Sequence, residues 1–193
     1  MNNANISKSY FLVSKPKTVI LFENNTEAIS SMVSEISSVH EENRAVVISG
    51  NKETTDDLIF YIKNSSLVVL GILNGIDKRV EELINMLPKD SFVILDSYNE
   101  KVKELKSRNS LNVLTFGKEG IGDVKFVAFE SEDINNTSFK IDYKGSIVPF
   151  YLNEGLNKGD LTKAAILPSI TISLALGLNL VQISQGLKKI KEQ

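Results

Sequence analysis

The sequence predicts an α/β domain: a doubly wound, mainly parallel sheet with an antiparallel meander at one edge and two helices closing the chain. Three observations carry that prediction. Between residues 18 and 115, short β-rich runs alternate with helical patterns. The runs are nearly continuously apolar, as strands of a parallel sheet covered on both faces must be. Beyond residue 123 the helices drop out and three strand-like runs follow one another.

The candidate strands of the first part are Thr18–Phe22, Ala45–Ser49, Ser66–Gly71, Ser91–Asp96 and Leu111–Thr115. Between them lie Thr26–Val39, Thr54–Lys63, Asp77–Met86 and Glu100–Arg108, with apolar residues three and four apart. Ile29, Met32, Val33 and Ile36 make one such stripe; Val80, Leu83, Ile84 and Leu87 make another. Strand, helix and strand repeated in this way imply right-handed crossovers. The later strands are Val124–Phe129, Ser138–Tyr143 and Ser146–Leu152. Phe139, Ile141 and Tyr143 alternate with polar neighbours, and Lys144-Gly145 supplies a two-residue turn. The closing helices are expected over Asp160–Leu176 and Leu180–Lys191, split by Gly177, with Asp160 and Asn179 as N-caps. All 193 residues read as one domain, with residues 1–15 an N-terminal extension open to partial disorder.

Composition excludes several classes of function. Apolar residues make up 42% and charged residues 24%, the balance of a globular chain. The net charge of −2 comes without a basic run, so no nucleic-acid partner is expected. The absence of cysteine removes disulfides, thiolate nucleophiles and Cys-type zinc sites. The lone His40 cannot build a multi-histidine metal site and reads as a solvated residue just past a helix end. The first 17 residues lack the apolar core of a signal peptide. The most apolar stretch, Ala164–Val181, is broken by Pro168, Ser169, Thr171, Ser173 and Asn179 and reads as a core helix. A cytoplasmic location without membrane association is the expectation.

Several stretches, taken in order, resemble the central, ATP-binding domain of the Mur ligases, which join amino acids to UDP-linked muramic acid. Pro16-Lys17-Thr18-Val19-Ile20 and the turn after it stand where the family has a strand and the GTNGKTTT phosphate loop. Glu53-Thr54-Thr55-Asp56-Asp57-Leu58 resembles the family's TTP helix start, and Leu67-Val68-Val69-Leu70 the strand that carries its metal-binding Glu. Phe92-Val93-Ile94-Leu95-Asp96 and Asn112-Val113-Leu114-Thr115-Phe116-Gly117 resemble the VLNADD and VITFG pair. Gly159-Asp160-Leu161-Thr162, followed by Ala175-Leu176-Gly177-Leu178, resembles GRHNxxNALAA and LGL. The likeness runs from about residue 16 to 191 and implies a P-loop NTPase-like sheet. The family's flanking domains, which hold the UDP-sugar and the incoming amino acid, are not expected within these 193 residues.

The residues that perform the family's chemistry are changed. A phosphate loop works because glycines let backbone N–H groups close on phosphate, a Lys adds charge and a hydroxyl binds Mg²⁺. The matching turn reads Phe22-Glu23-Asn24-Asn25-Thr26-Glu27-Ala28, with Phe22 and Asn25 in place of glycines and Thr26 in place of Lys. Two carboxylates, Glu23 and Glu27, stand where a polyanion would lie. The same residues also read as an ordinary strand-to-helix turn capped by Asn25 or Thr26. A rival loop, Ser49-Gly50-Asn51-Lys52-Glu53-Thr54-Thr55, has one Gly, one Lys and two hydroxyls, but is short for phosphate. It reads as well as a turn at Gly50 with Thr54 or Thr55 capping a helix. The family's metal-binding Glu falls at Gly71, its modified Lys at Val80, and its His-Asn pair at Leu161 and Thr162. Lys78 and Arg79 lie beside Val80, but the helix would have to rotate to present them inward.

The resemblance therefore implies a non-catalytic homologue linked to peptidoglycan precursor metabolism, with no catalytic residue, no metal ligand and no cofactor. The alternative is an ATP-dependent Mur-type amide ligase, completed by other subunits and using ATP and Mg²⁺. Candidate nucleotide-binding residues are Asn24, Asn25, Thr26, Asp96, Tyr98 and Asn99. Asp96 and Asn99 end a strand where doubly wound sheets place ligands and could hydrogen-bond an adenosine, with Tyr98 stacking on it. A helix-start cap explains the same Asp-Ser-Tyr-Asn run. A protein partner, a UDP-sugar-peptide-like ligand and a homo-oligomer are all compatible with the sequence.

Overall fold

The computed structural model describes residues 7–23, 26–117, 121–129, 138–151 and 163–189. The chain runs α1 (Lys8–Ser14), β1 (Lys17–Phe22), α2 (Thr26–Ser38), a short 3₁₀ turn at Glu41–Asn43, β2 (Ala45–Ser49), α3 (Thr55–Lys63), β3 (Leu67–Ile72), α4 (Lys78–Asn85) and β4 (Phe92–Asp96). It continues through α5 (Val102–Lys106), β5 (Asn112–Gly117), β6 (Val124–Phe129), β7 (Ser138–Tyr143), β8 (Ser146–Tyr151), α6 (Lys163–Ala175) and α7 (Leu180–Leu187).

Among the described residues the strands form one eight-stranded sheet in the order β2-β1-β3-β4-β5-β6-β7-β8. The pairs from β2 to β6 are parallel; β6–β7 and β7–β8 are antiparallel. This is the doubly wound sheet with an antiparallel edge that the sequence predicts. The order reverses beside β1, because the chain moves out to β2 and then returns across β1 to β3. Such a reversal opens a crevice at the carboxyl ends of the strands, the usual ligand position in open α/β sheets.

Two apolar layers hold the sheet. On one face Val19, Leu21, Val69 and Ile94 pack with the stripe Ile29, Met32, Val33 and Ile36 of α2 and with α6 and α7. On the other, Ile20, Phe22, Leu70, Ile72, Val93 and Leu95 meet Leu58 and Ile62 of α3, Val80, Leu83 and Ile84 of α4, and Leu105 of α5. Successive strand residues thus serve opposite layers, which explains the unbroken apolar runs.

Helix α6 is buried and not amphipathic. Ser169, Thr171 and Ser173 are each fully buried and donate to the carbonyls of Ala165, Leu167 and Ser169, at 2.7, 2.8 and 2.8 Å. Back-bonding of this kind lets hydroxyls sit in an apolar layer without an unpaired donor. Gly177, at φ 99°, ends the helix, with Leu178 N donating to Ser173 O at 3.2 Å. Asn179 then starts α7 with a reciprocal capping box to Gln182, as the sequence suggests.

Within the N-terminal extension, Lys8–Ser14 forms a helix whose Phe11 is buried against Phe60 and Tyr61 of α3. Two expectations need correction. Helix α5 covers only Val102–Lys106 of the expected Glu100–Arg108. His40 does follow the end of α2, but it is half-buried and its Nε2 is enclosed without a hydrogen-bond partner. The expected cap at Asp160 lies outside the described residues.

Candidate functional site

The carboxyl ends of β1, β3 and β4 line the crevice. β1 ends in Phe22, whose ring turns into the layer under α3 and α4 and is 4% exposed. The far end of that ring presses on Gly50, where a Cβ would come within 2.6 Å of Phe22 Cζ. Gly50 N donates to Leu21 O at 2.7 Å, so the turn after β2 is drawn tightly over the end of β1. Gly50 therefore answers a close approach rather than a left-handed turn, since its φ is not among the positive ones.

Arg79 closes this assembly from α4. Its guanidinium carbon lies 5.8 Å from the centre of the Phe22 ring, Nε donates to Thr55 Oγ1 at 3.1 Å, and Nη2 donates to Glu53 O. A cation over an aromatic face with two of its N–H groups engaged is a fixed arrangement. The sequence reading required α4 to rotate before Arg79 could face inward. Instead Val80 stays buried and the long Arg79 side chain reaches sideways.

The Ser49–Thr55 loop makes local structural contacts. Asn51 Nδ2 donates to Glu23 O at 2.9 Å, and Thr54 caps α3 by accepting from Asp57 N at 3.2 Å. Lys52 is exposed and stands 3.9 Å from Glu27. Gly71 sits inside β3, where a Cβ would meet Leu21 Cδ2 at 2.8 Å, so close packing explains its lack of a side chain.

Of the candidate residues, Asn24, Asn25 and the Leu161-Thr162 pair lie outside the described residues. Thr26 is the first residue of α2 and is buried. Glu23, directly after β1, is half-buried; Oε2 is enclosed with no hydrogen-bond partner, and burial pushes its carboxyl pKa up. Two strands away, Asp96 Oδ1 accepts from Tyr98 N at 2.9 Å and Asn99 Oδ1 from Lys101 N at 3.0 Å. Both side chains thus stabilise the turn into α5, as in Asx turns. Tyr98 stands 65% exposed between them. Ser97 N donates to Phe116 O at 2.8 Å, while Ser97 Oγ is enclosed and unpaired. The structure thus brings Asp96, Tyr98 and Asn99 together and keeps them apart from Thr26.

Sequence reasoning missed the Phe22–Gly50–Arg79 assembly and the enclosed oxygens of Glu23 and Ser97. A glycine directly after one strand and an aromatic residue ending its neighbour were the available signal. Among the described residues, no cluster of three or more His, Asp or Glu side chains is placed to hold a metal ion. Nor is any helix there long and apolar enough to cross a membrane.

No protein-family description matches the chain, and no curated protein matches it. Solved structures do. MurF from Acinetobacter baumannii superposes with a TM-score of 0.71 and 15% identity, over 96% of this chain and 48% of that one. A second crystal structure of the same protein gives 0.71 and 14% identity, over 96% and 49%. The UDP-N-acetylmuramoylalanyl-D-glutamyl-2,6-diaminopimelate–D-alanyl-D-alanyl ligase of that organism gives 0.70 and 14%, over 96% and 48%. The chain spans about half the length of these proteins. Its fold is that of a Mur ligase-like domain.

Proposed function

We propose that this chain is a non-catalytic relative of the Mur ligases that works by binding, within the metabolism of cell-wall peptidoglycan precursors. Its ligand is a protein partner or a UDP-sugar-peptide-like molecule. One observation carries the reading: the first glycine position of a phosphate loop is taken by Phe22, packed between Gly50 and Arg79. A triphosphate needs open backbone N–H groups and unengaged cations. Here Arg79 is tied to Glu53 O and Thr55, and Lys52 faces Glu27. The half-buried Glu23 next to Phe22 adds a carboxylate that would repel phosphate if ionised. The described residues therefore fit ATP and Mg²⁺ poorly, and no acyl-phosphate step is derived for them. The link to peptidoglycan precursors rests on the fold shared with MurF.

The test is a thermal-shift series with ATP, ADP, UDP and UDP-muramyl peptides, each with and without Mg²⁺. The expected result is no shift with ATP-Mg²⁺. A shift confined to ATP-Mg²⁺, with phosphate release on adding a muramyl peptide, would establish the ligase alternative instead.

A further inference from the structure

The loop between β3 and α4 carries Asn74-Gly75, the one Asn-Gly pair in the sequence. Both residues are exposed and lie outside helix and strand. A Cβ built on Gly75 would meet nothing within 4 Å. Neither residue engages in a hydrogen bond among the described residues. The flanks, in contrast, are anchored. Leu73 N donates to Phe22 O at 3.2 Å, and Asp77 caps α4 by accepting from Val80 N at 2.8 Å. An unrestrained dipeptide thus hangs between two fixed points, beside the strand where the sheet order reverses.

We propose that Asn74 is a site of spontaneous covalent self-modification. The backbone nitrogen of Gly75, after losing its proton to water or buffer base, attacks the side-chain carbonyl carbon of Asn74. A C–N bond forms and closes a five-membered succinimide. The bond to the side-chain amide nitrogen breaks, and that nitrogen leaves as ammonia after taking a proton from solvent. Water then adds to either ring carbonyl, giving aspartate or its backbone-shifted isomer, isoaspartate. The sequence is hydrolytic throughout and needs no oxidant, reductant or cofactor. Glycine in second place favours it because no Cβ hinders the approach of nitrogen to carbonyl. The product puts a new carboxylate on the rim that already holds Glu23. Isoaspartate also lengthens the backbone leading to the Asp77 cap.

The experiment is peptide mapping of the full folded chain, aged in mildly alkaline buffer, beside a synthetic peptide of residues 71–79. The expected result is conversion of Asn74 to a mixture of aspartate and isoaspartate, ahead of every other asparagine and faster as pH rises. Gly75→Ala, which the open space around Gly75 accommodates, slows conversion on the order of tenfold. Asn74→Gln suppresses it on the same timescale, and circular dichroism shows both variants folded. If Asn74 of the folded chain stays intact while the peptide converts, the fold restrains the loop and the proposal fails. Conversion at an undiminished rate in Gly75→Ala would overturn the succinimide route.

Discussion

The end of β1 and the turn after β4 share one rim of the sheet, two strands and about 10 Å apart, and their surroundings are opposite in kind. After β1, a buried ring, a close-packed glycine and a tethered guanidinium fill the space. After β4, Asp96 and Asn99 fold back on the backbone and Tyr98 is left in solvent. The difference teaches that the two ends of the rim are physically separable: packing fills one, while the other keeps an accessible aromatic face beside polar groups. On the proposed Mur-like reading, the first would be the place for phosphates and the second for base and ribose.

The sharpest way to break this contrast is to remove the ring. Phe22→Ala is expected to cost about 3–5 kcal/mol, the range for deleting a buried phenyl. Gly50→Ala alone forces a methyl against the ring and is expected to cost about 1–3 kcal/mol. The informative measurement is the double variant in urea unfolding. With the ring gone, the added methyl has room, and the Gly50→Ala cost is expected to shrink to within about 0.5 kcal/mol. Additive costs would mean that Phe22 does not press on Gly50 in solution, and the packed end of β1 would have no basis.

Arg79 sharpens the comparison from the other side of the ring. Arg79→Ala loses a cation–π contact and two hydrogen bonds on a half-buried side chain, worth about 1–2 kcal/mol together. Arg79→Lys is expected to recover little, because an ammonium cannot reproduce the planar fork. Full recovery by Lys would reduce Arg79 to a point charge near the turn.

How much of this was legible depends on what each residue answers to. The strands were readable because a residue covered on both sides has to be apolar whichever way it points, as Val19, Ile20 and Leu21 do. Thr54 and Asn179 were readable because a cap is a local bond between a side chain and a nearby N–H. Helix α1 was not. Its N-cap Ser7 makes no side-chain capping bond, its hydroxyl pairing with that of Ser9 instead; seven residues are too few to hold a helix alone, and Phe11 docking on α3 stabilises it. Gly50 and Arg79 escaped for a related reason. Their partners lie 28 and 57 positions away, at Phe22, and no periodicity records such a contact. Asp96 and Asn99 were read with both uses open; each accepts from the backbone N–H two residues on, in the loop before α5, and neither caps that helix.

Glu23 tests whether the packed end of β1 is also an acid one. Burial raises its pKa, so the folded chain retains a proton that the unfolded chain releases. Its contribution to stability is then fully present below the ordinary glutamate value of 4.5 and declines as pH rises through the raised value. Relative to Glu23→Gln, which cannot titrate, the native protein is expected to lose stability over that interval and to run parallel on either side of it. Parallel melting curves across the whole range would show that Glu23 is solvated like any surface carboxylate.

The smallest expected effect on stability belongs to Tyr98, and it isolates the open half of the rim. The side chain is 65% exposed, so Tyr98→Ala should leave unfolding within about 0.5 kcal/mol of the native protein. Its effect on binding can be far larger, because stacking of a base on an aromatic ring is worth about 1–3 kcal/mol. Calorimetric titration with UDP or adenosine therefore separates the two halves of the comparison. A ligand held by the open turn weakens with Tyr98→Ala and is indifferent to Arg79→Ala, since the two residues leave different strands of the sheet. Equal weakening by both would place the ligand across β3, in contact with the packed end of β1, and the two ends of the rim would not be separate.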